Sequence, residues 1–140
     1  DTFWRWGQAM ANQIVIFAAF VDEKMVAASL CFQSETTLYG RYWGSEQDFN
    51  FLHFECCYYS GIDYCIKQGL QFFDAGAQGE HKLQRGFAPV LRHGFYHFTE
   101  KAEHKAINEA IARYCLQEQR ALVQYQQEAQ DSLPFANRTD

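Results

Sequence analysis

QIVIFAAFVDEKMVAASLCFQSETTLYGRYW, residues 13–43, sets three apolar runs apart by two short polar breaks. Ile14, Val15, Ile16, Phe17 and Phe20 make Gln13–Phe20 β-branched and aromatic, the composition of a strand. Val21-Asp22-Glu23-Lys24 has the polar character of a hairpin turn, Met25–Gln33 is a second strand, and Ser34–Thr36 is a second turn. Thr37–Trp43, carrying Leu38, Tyr39, Tyr42 and Trp43, is a third. Connections this short join only antiparallel neighbours, so the run predicts a three-stranded meander.

Upstream, Phe3, Trp4, Trp6 and Met10 place the end of an amphipathic helix over residues 3–12. The chain opens on Asp1 within that pattern, which reads as a fragment of a longer protein. Downstream, Gly44-Ser45-Glu46-Gln47-Asp48 has Ser45 three places before Asp48, a capping-box spacing that predicts a helix start. Phe51, Phe54, Tyr58, Ile62, Cys65 and Ile66 then recur at steps of three and four, the stripe of a helix packed on a sheet. Lys67 and Gly69 end it. Leu70–Asp74 is a fourth strand, parallel to the third because a helical crossover precedes it. Val90–Phe98 alternates like a fifth strand, and Thr99 caps a long final helix with Glu100 and Glu103 in its first turn. Ile107, Ile111, Tyr114, Cys115, Leu122 and Tyr125 give that helix its apolar stripe, with Pro134 beyond its end. The fold class is therefore α+β, a mixed sheet built as a meander followed by helix, strand, loop, strand and helix.

At 140 residues and 48% apolar content the chain is sized for one domain over residues 1–140. A formal charge of -5 argues against a general nucleic-acid or anionic-membrane binder. Cys31, Cys56, Cys57, Cys65 and Cys115 form no CxxC pair and sit among apolar neighbours, as reduced core thiols of a cytoplasmic protein do. No apolar run reaches the roughly 18 residues of a membrane span.

One stretch concentrates chemistry: QFFDAGAQGEHKLQRGF, residues 71–87. A strand leads into a glycine-punctuated loop, Asp74–Gly79, and then into Glu80, His81, Lys82 and Arg85. Glycine lets backbone amides approach a ligand, and the strand holds them in place. His93 and His97 share a face of the expected fifth strand and could join His81 in one cleft. With no carboxylate or cysteine at fitting spacing, no metal site is assigned.

The run FNFLHFECCYYSGIDYCIKQGLQFFDAGAQGEHKLQRGF, residues 49–87, resembles the bacterial Fem-like family of N-acyltransferases of peptidoglycan biosynthesis or recognition. GAQGEHK and RGF are its most specific strings, and the run covers about a quarter of the chain. The resemblance implies an acyl-CoA N-acyltransferase (GNAT-like) fold, with this chain matching the C-terminal half of a longer, two-lobed protein. It also implies transfer of an acyl or aminoacyl group from acyl-CoA or aminoacyl-tRNA to an amine acceptor, a small molecule or peptide of cell-wall metabolism, with no tightly bound cofactor. The GNAT pyrophosphate signature, Q/R-x-x-G-x-G/A between a strand and a helix, aligns with Arg41-Tyr42-Trp43-Gly44-Ser45-Glu46. Arg41, Gly44 and Ser45 would then face the donor's phosphates at a helix N-terminus. Glu46 departs from the signature, and its carboxylate would repel a pyrophosphate.

Acyl transfer needs a base for the ammonium, donors for the oxyanion and a cationic cradle for the donor. Glu80 or His81 is the candidate base. Amides at Gly76 and Gly79 are candidate oxyanion donors, while Lys82 and Arg85 are candidate phosphate holders. His53 is assigned to the wall of the site, or else to the core, and Tyr96 is assigned as the acid for a leaving thiolate or as a packing group. The same charged residues also read as a surface ion-pair network steadying a loop. The competing function is a non-catalytic peptide or glycan recognition domain on a degenerate transferase fold. Homodimerisation through the last helix or the first strand is a further expectation.

Overall fold

The computed structural model describes residues 2–77, 79–95 and 104–132, with the backbone alone described at Glu80, His104, Asp131 and Ser132. The chain divides into two compact units between Gln78 and Gly79.

The first unit is a mixed α+β layer. Helix α1 (Thr2–Met10) and a 3-10 turn at Ala11–Gln13 lead into β1 (Ile14–Val21), β2 (Lys24–Gln33) and β3 (Thr37–Ser45). The meander forms as its short connectors require, β1 pairing with β2 and β2 with β3, both antiparallel. The first connector is a two-residue turn whose Asp22 and Glu23 both have positive φ, 48° and 66°. Such a turn matches the twist of the flanking strands. Ser34 Oγ accepts the Thr37 amide at 3.2 Å in the second connector. Two bulges interrupt the ladders, one placing Val26 and the other Arg41 outside one-to-one pairing.

After β3 the chain turns through Phe51 into α2 (Leu52–Phe54), a wide π-helical turn (Glu55–Tyr59) and α3 (Ser60–Gln68). The helix starts later than Ser45 and Asp48 predict. Gly44 and Ser45 remain paired with Ala28 and Ala27 in β3, so Ser45 cannot cap a helix. Instead the Ser45 hydroxyl donates to the Gln47 carbonyl at 2.6 Å. Phe51 precedes the helix in left-handed conformation, with no side-chain cap. Of the expected stripe, Tyr58 and Cys65 are buried, whereas Phe51 and Ile66 face solvent. The π turn accounts for Phe51, since its extra residue shifts the phase of everything before it. Ser29, a buried polar residue, donates its hydroxyl to the Cys56 carbonyl within that turn at 2.8 Å.

Gly69 ends α3 as expected. It has φ 69°, its N–H donates to Ile66, and the Leu70 N–H donates to Cys65. The chain then enters β4 (Phe72–Asp74), parallel to β3 in register Thr37↔Phe72 to Tyr39↔Asp74. Cys31, Leu38 and Cys65 form the core, with Val15, Phe17, Tyr64, Leu70 and Phe73 packed around it. Burial pushes the Cys31 thiol from 9.0 up to about 11 and raises those of Cys56 and Cys65.

The second unit holds a 3-10 helix (Glu80–Arg85) and α4 (His104–Ser132). Residues 90–95 form no strand. Pro89 offers no N–H, and Val90 and Phe95 are exposed without a ladder partner. His97, Phe98, Thr99, Glu100, Glu103 and Pro134 lie outside the described residues. Ile107, Ile111, Leu122 and Tyr125 of α4 are half-buried as expected, but Tyr114 and Cys115 are exposed, so Cys115 is not a core thiol.

Candidate functional site

The GEHKLQRG segment folds into one short 3-10 helix between two glycines of positive φ, Gly79 (100°) and Gly86 (83°). The Lys82 amide donates to the Gly79 carbonyl, and the amides of Gly86 and Phe87 donate to Leu83 and Lys82. With three residues per turn, Lys82 and Arg85 stand one above the other. His81, Lys82 and Arg85 are half-buried rather than splayed into water. The Arg85 guanidinium donates to the His81 carbonyl at 2.6 Å, closing the turn on itself. Gly79 does more than supply its φ: a Cβ there would lie 2.5 Å from the His81 ring. The ring therefore folds back onto glycine backbone, and any side chain at position 79 would displace it. In the same unit α4 packs against this segment, enclosing a small hollow of about 30 Å³ between Leu83, Phe87 and Ala129. Four of the expected site residues, Gly79, His81, Lys82 and Arg85, are thus brought together. The Glu80 side chain and Tyr96 lie outside the described residues.

Arg41, Gly44, Ser45, His53 and Gly76 belong to the first unit. Gly76 follows β4 with φ 82°, and its amide donates to Asp74 Oδ1 at 2.9 Å, a turn in which the aspartate side chain mimics backbone. A Cβ on Gly76 would sit 3.5 Å from the Gly40 carbonyl, so this loop lies directly over β3. Arg41 occupies the β3 bulge, with its guanidinium 5.3 Å from the Tyr42 ring. Gly44 and Ser45 lie within β3, not in a loop opening a helix as the aligned signature requires, and Glu46 pairs with Lys24 at 2.8 Å. His53 is ringed by Trp43, Phe54 and Tyr58 at centroid distances of 5.5, 5.4 and 5.5 Å, the surroundings of a packing residue.

Sequence reasoning missed an open hollow of about 360 Å³ in the first unit, walled by Phe20, Val26, Phe49, Phe51, Glu55 and Tyr59 among others. None of the residues assigned above lines it. The apolar character of Phe49, Phe51 and Leu52 was the available signal; Phe51 was absorbed into the expected helix stripe, and Phe49 and Leu52 were given no role.

The chain is thus of the α+β class, with a mixed four-stranded sheet in its first unit and a glycine-bounded basic turn in its second. The FemAB-like family model, described as peptidoglycan biosynthesis/recognition, matches residues 1–137, and the chain belongs to that family. No curated protein and no solved structure matches it. No helix among the described residues is long and apolar enough to cross a membrane.

Proposed function

We propose that this chain is part of an N-acyltransferase that moves an acyl or aminoacyl group from an activated donor to an amine in cell-wall peptide metabolism. The observation that carries the reading is the family match over residues 1–137. The half-buried grouping of His81, Lys82 and Arg85 on one turn supports it. In this reading the sheet belongs to a GNAT-like fold, and the donor is acyl-CoA or aminoacyl-tRNA used in the cytoplasm. Glu80 or His81 takes the ammonium proton, and the freed amine attacks the donor carbonyl. The Gly79 amide, on the same turn, steadies the oxyanion, while the Gly76 amide stays with Asp74 Oδ1 in the first unit. Lys82 holds donor phosphates as a point charge, while Arg85 shares its fork between that task and the His81 carbonyl. Tyr96 protonates a leaving thiolate when the donor is a thioester, and with an aminoacyl-tRNA ester the protonated base returns its proton to the departing ribose oxygen. With Gly44 and Ser45 in a strand and Glu46 beside them, the aminoacyl-tRNA donor is favoured over coenzyme A held at that loop.

The family description also names recognition, which supports a second reading as a non-catalytic domain that binds a peptide or glycan. Transfer assays on the full-length protein with acyl-CoA and with aminoacyl-tRNA separate the two. Glu80→Gln or His81→Gln is expected to lower transfer by about 100-fold or more while leaving the fold intact. Absence of donor binding, together with a cellular role that survives Glu80→Gln, would remove the transferase reading.

A further inference from the structure

The hollow of about 360 Å³ in the first unit falls within the roughly 300–1,000 Å³ typical of small-molecule sites. Its walls are mainly apolar and carry the aromatic residues Phe20, Phe49, Phe51 and Tyr59. Glu55 brings a carboxylate to this lining, and the Ser60 hydroxyl donates to its Oε1 at 3.2 Å, which orients the group. Two unusual backbone features meet here. Phe51 holds φ 65° and is itself 78% exposed, and the π turn begins at Glu55. A bulky residue in that conformation is strained, in the way residues at ligand clamps are. Val21, also in the lining, leads directly into Asp22 and Glu23, and the nearest cation in sequence, Lys24, is paired with Glu46.

A carboxylate among aromatic faces favours one ligand chemistry. A cation gains Coulomb attraction from Glu55 and attraction from the ring quadrupoles, and an apolar body gains burial. An anion meets repulsion, and a neutral molecule gains burial alone. We propose that this hollow binds a small organic cation, an ammonium carried on an apolar group. The proposal stands apart from acyl transfer and uses none of the residues assigned to it.

The test is titration of the full chain with benzyltrimethylammonium and with neutral benzyl alcohol, followed by two-dimensional amide NMR. The quaternary nitrogen has no proton to exchange for an acyl group, so the result does not depend on transferase activity. The cation is expected to shift the amides of residues 49–59 saturably and to bind about tenfold tighter than the alcohol. Glu55→Gln should erase that preference. Phe51→Gly should raise the melting temperature by relieving the backbone while weakening binding of the cation, separating loss of the wall from loss of the fold. Equal binding of the two probes, no saturable shift in residues 49–59, or an unchanged preference in Glu55→Gln would overturn the proposal.

Discussion

Ser29 is a polar side chain in a layer otherwise made of apolar ones, and its hydroxyl answers a carbonyl 27 residues away, that of Cys56. The bond ties β2 to the turn where the helix runs wide. Ser29→Ala leaves that carbonyl buried without this donor and is expected to cost about 1–3 kcal/mol, measured by urea unfolding. Tyr64 makes a comparable tie, donating to Gln33 Oε1 at 2.6 Å. Neither bond can be read from the sequence, because each joins partners about thirty residues apart, 27 and 31 positions, with no local pattern linking them.

Among the elements, the first hairpin and the α3–β4 contact are constrained in opposite senses. Glu23 sits at φ 66° in a turn that glycine fits better. Glu23→Gly is expected to stabilise the fold by about 1 kcal/mol, read as a higher melting temperature. Gly61 in α3 faces β4, and a Cβ there would lie 2.5 Å from the Phe73 ring and 3.5 Å from Leu38. Alanine gains helix propensity, about 1 kcal/mol. The ring it displaces packs on the core, so overpacking wins and Gly61→Ala is expected to destabilise by about 1–3 kcal/mol in chemical denaturation. Strand and hairpin positions were legible because alternation and short connectors leave few choices. The start of α2 was not: Ser45-x-x-Asp48 fits a cap locally, but β2 still offers ladder partners to Gly44 and Ser45. The expected fifth strand failed for the converse reason, since alternation over residues 90–95 supplies no partner to pair with.

For the whole molecule, three thiols raised by burial make alkaline pH a global stress. Above 9.0 the unfolded chain releases the Cys31 proton while the folded chain keeps it up to about 11. Stability present below 9.0 is therefore lost progressively as pH rises towards 11, with Cys56 and Cys65 adding in the same direction. Denaturant midpoints measured across that range should fall, and Cys31→Ser or Cys31→Ala should flatten the slope. Of the candidate site, the closeness of His81, Lys82 and Arg85 was legible from spacing alone, because a short helical turn gathers near neighbours. The hollow was not, because it joins the end of β1 to residues 49–59 through a left-handed Phe51 that no local pattern announces.

The wide turn at Glu55–Tyr59 carries one residue more than a regular helix would need. Deleting any single position there would let the coil close with ordinary spacing, at the expense of rotating Leu52–Phe54 by about 100° around the axis. His53 would swing out from between Trp43 and Tyr58, and the carboxylate of Glu55 would leave the wall it now occupies. Residue count in this stretch is thus specified as tightly as residue type, and a shortened variant that still folds would have kept the scaffold while mislaying its furnishings.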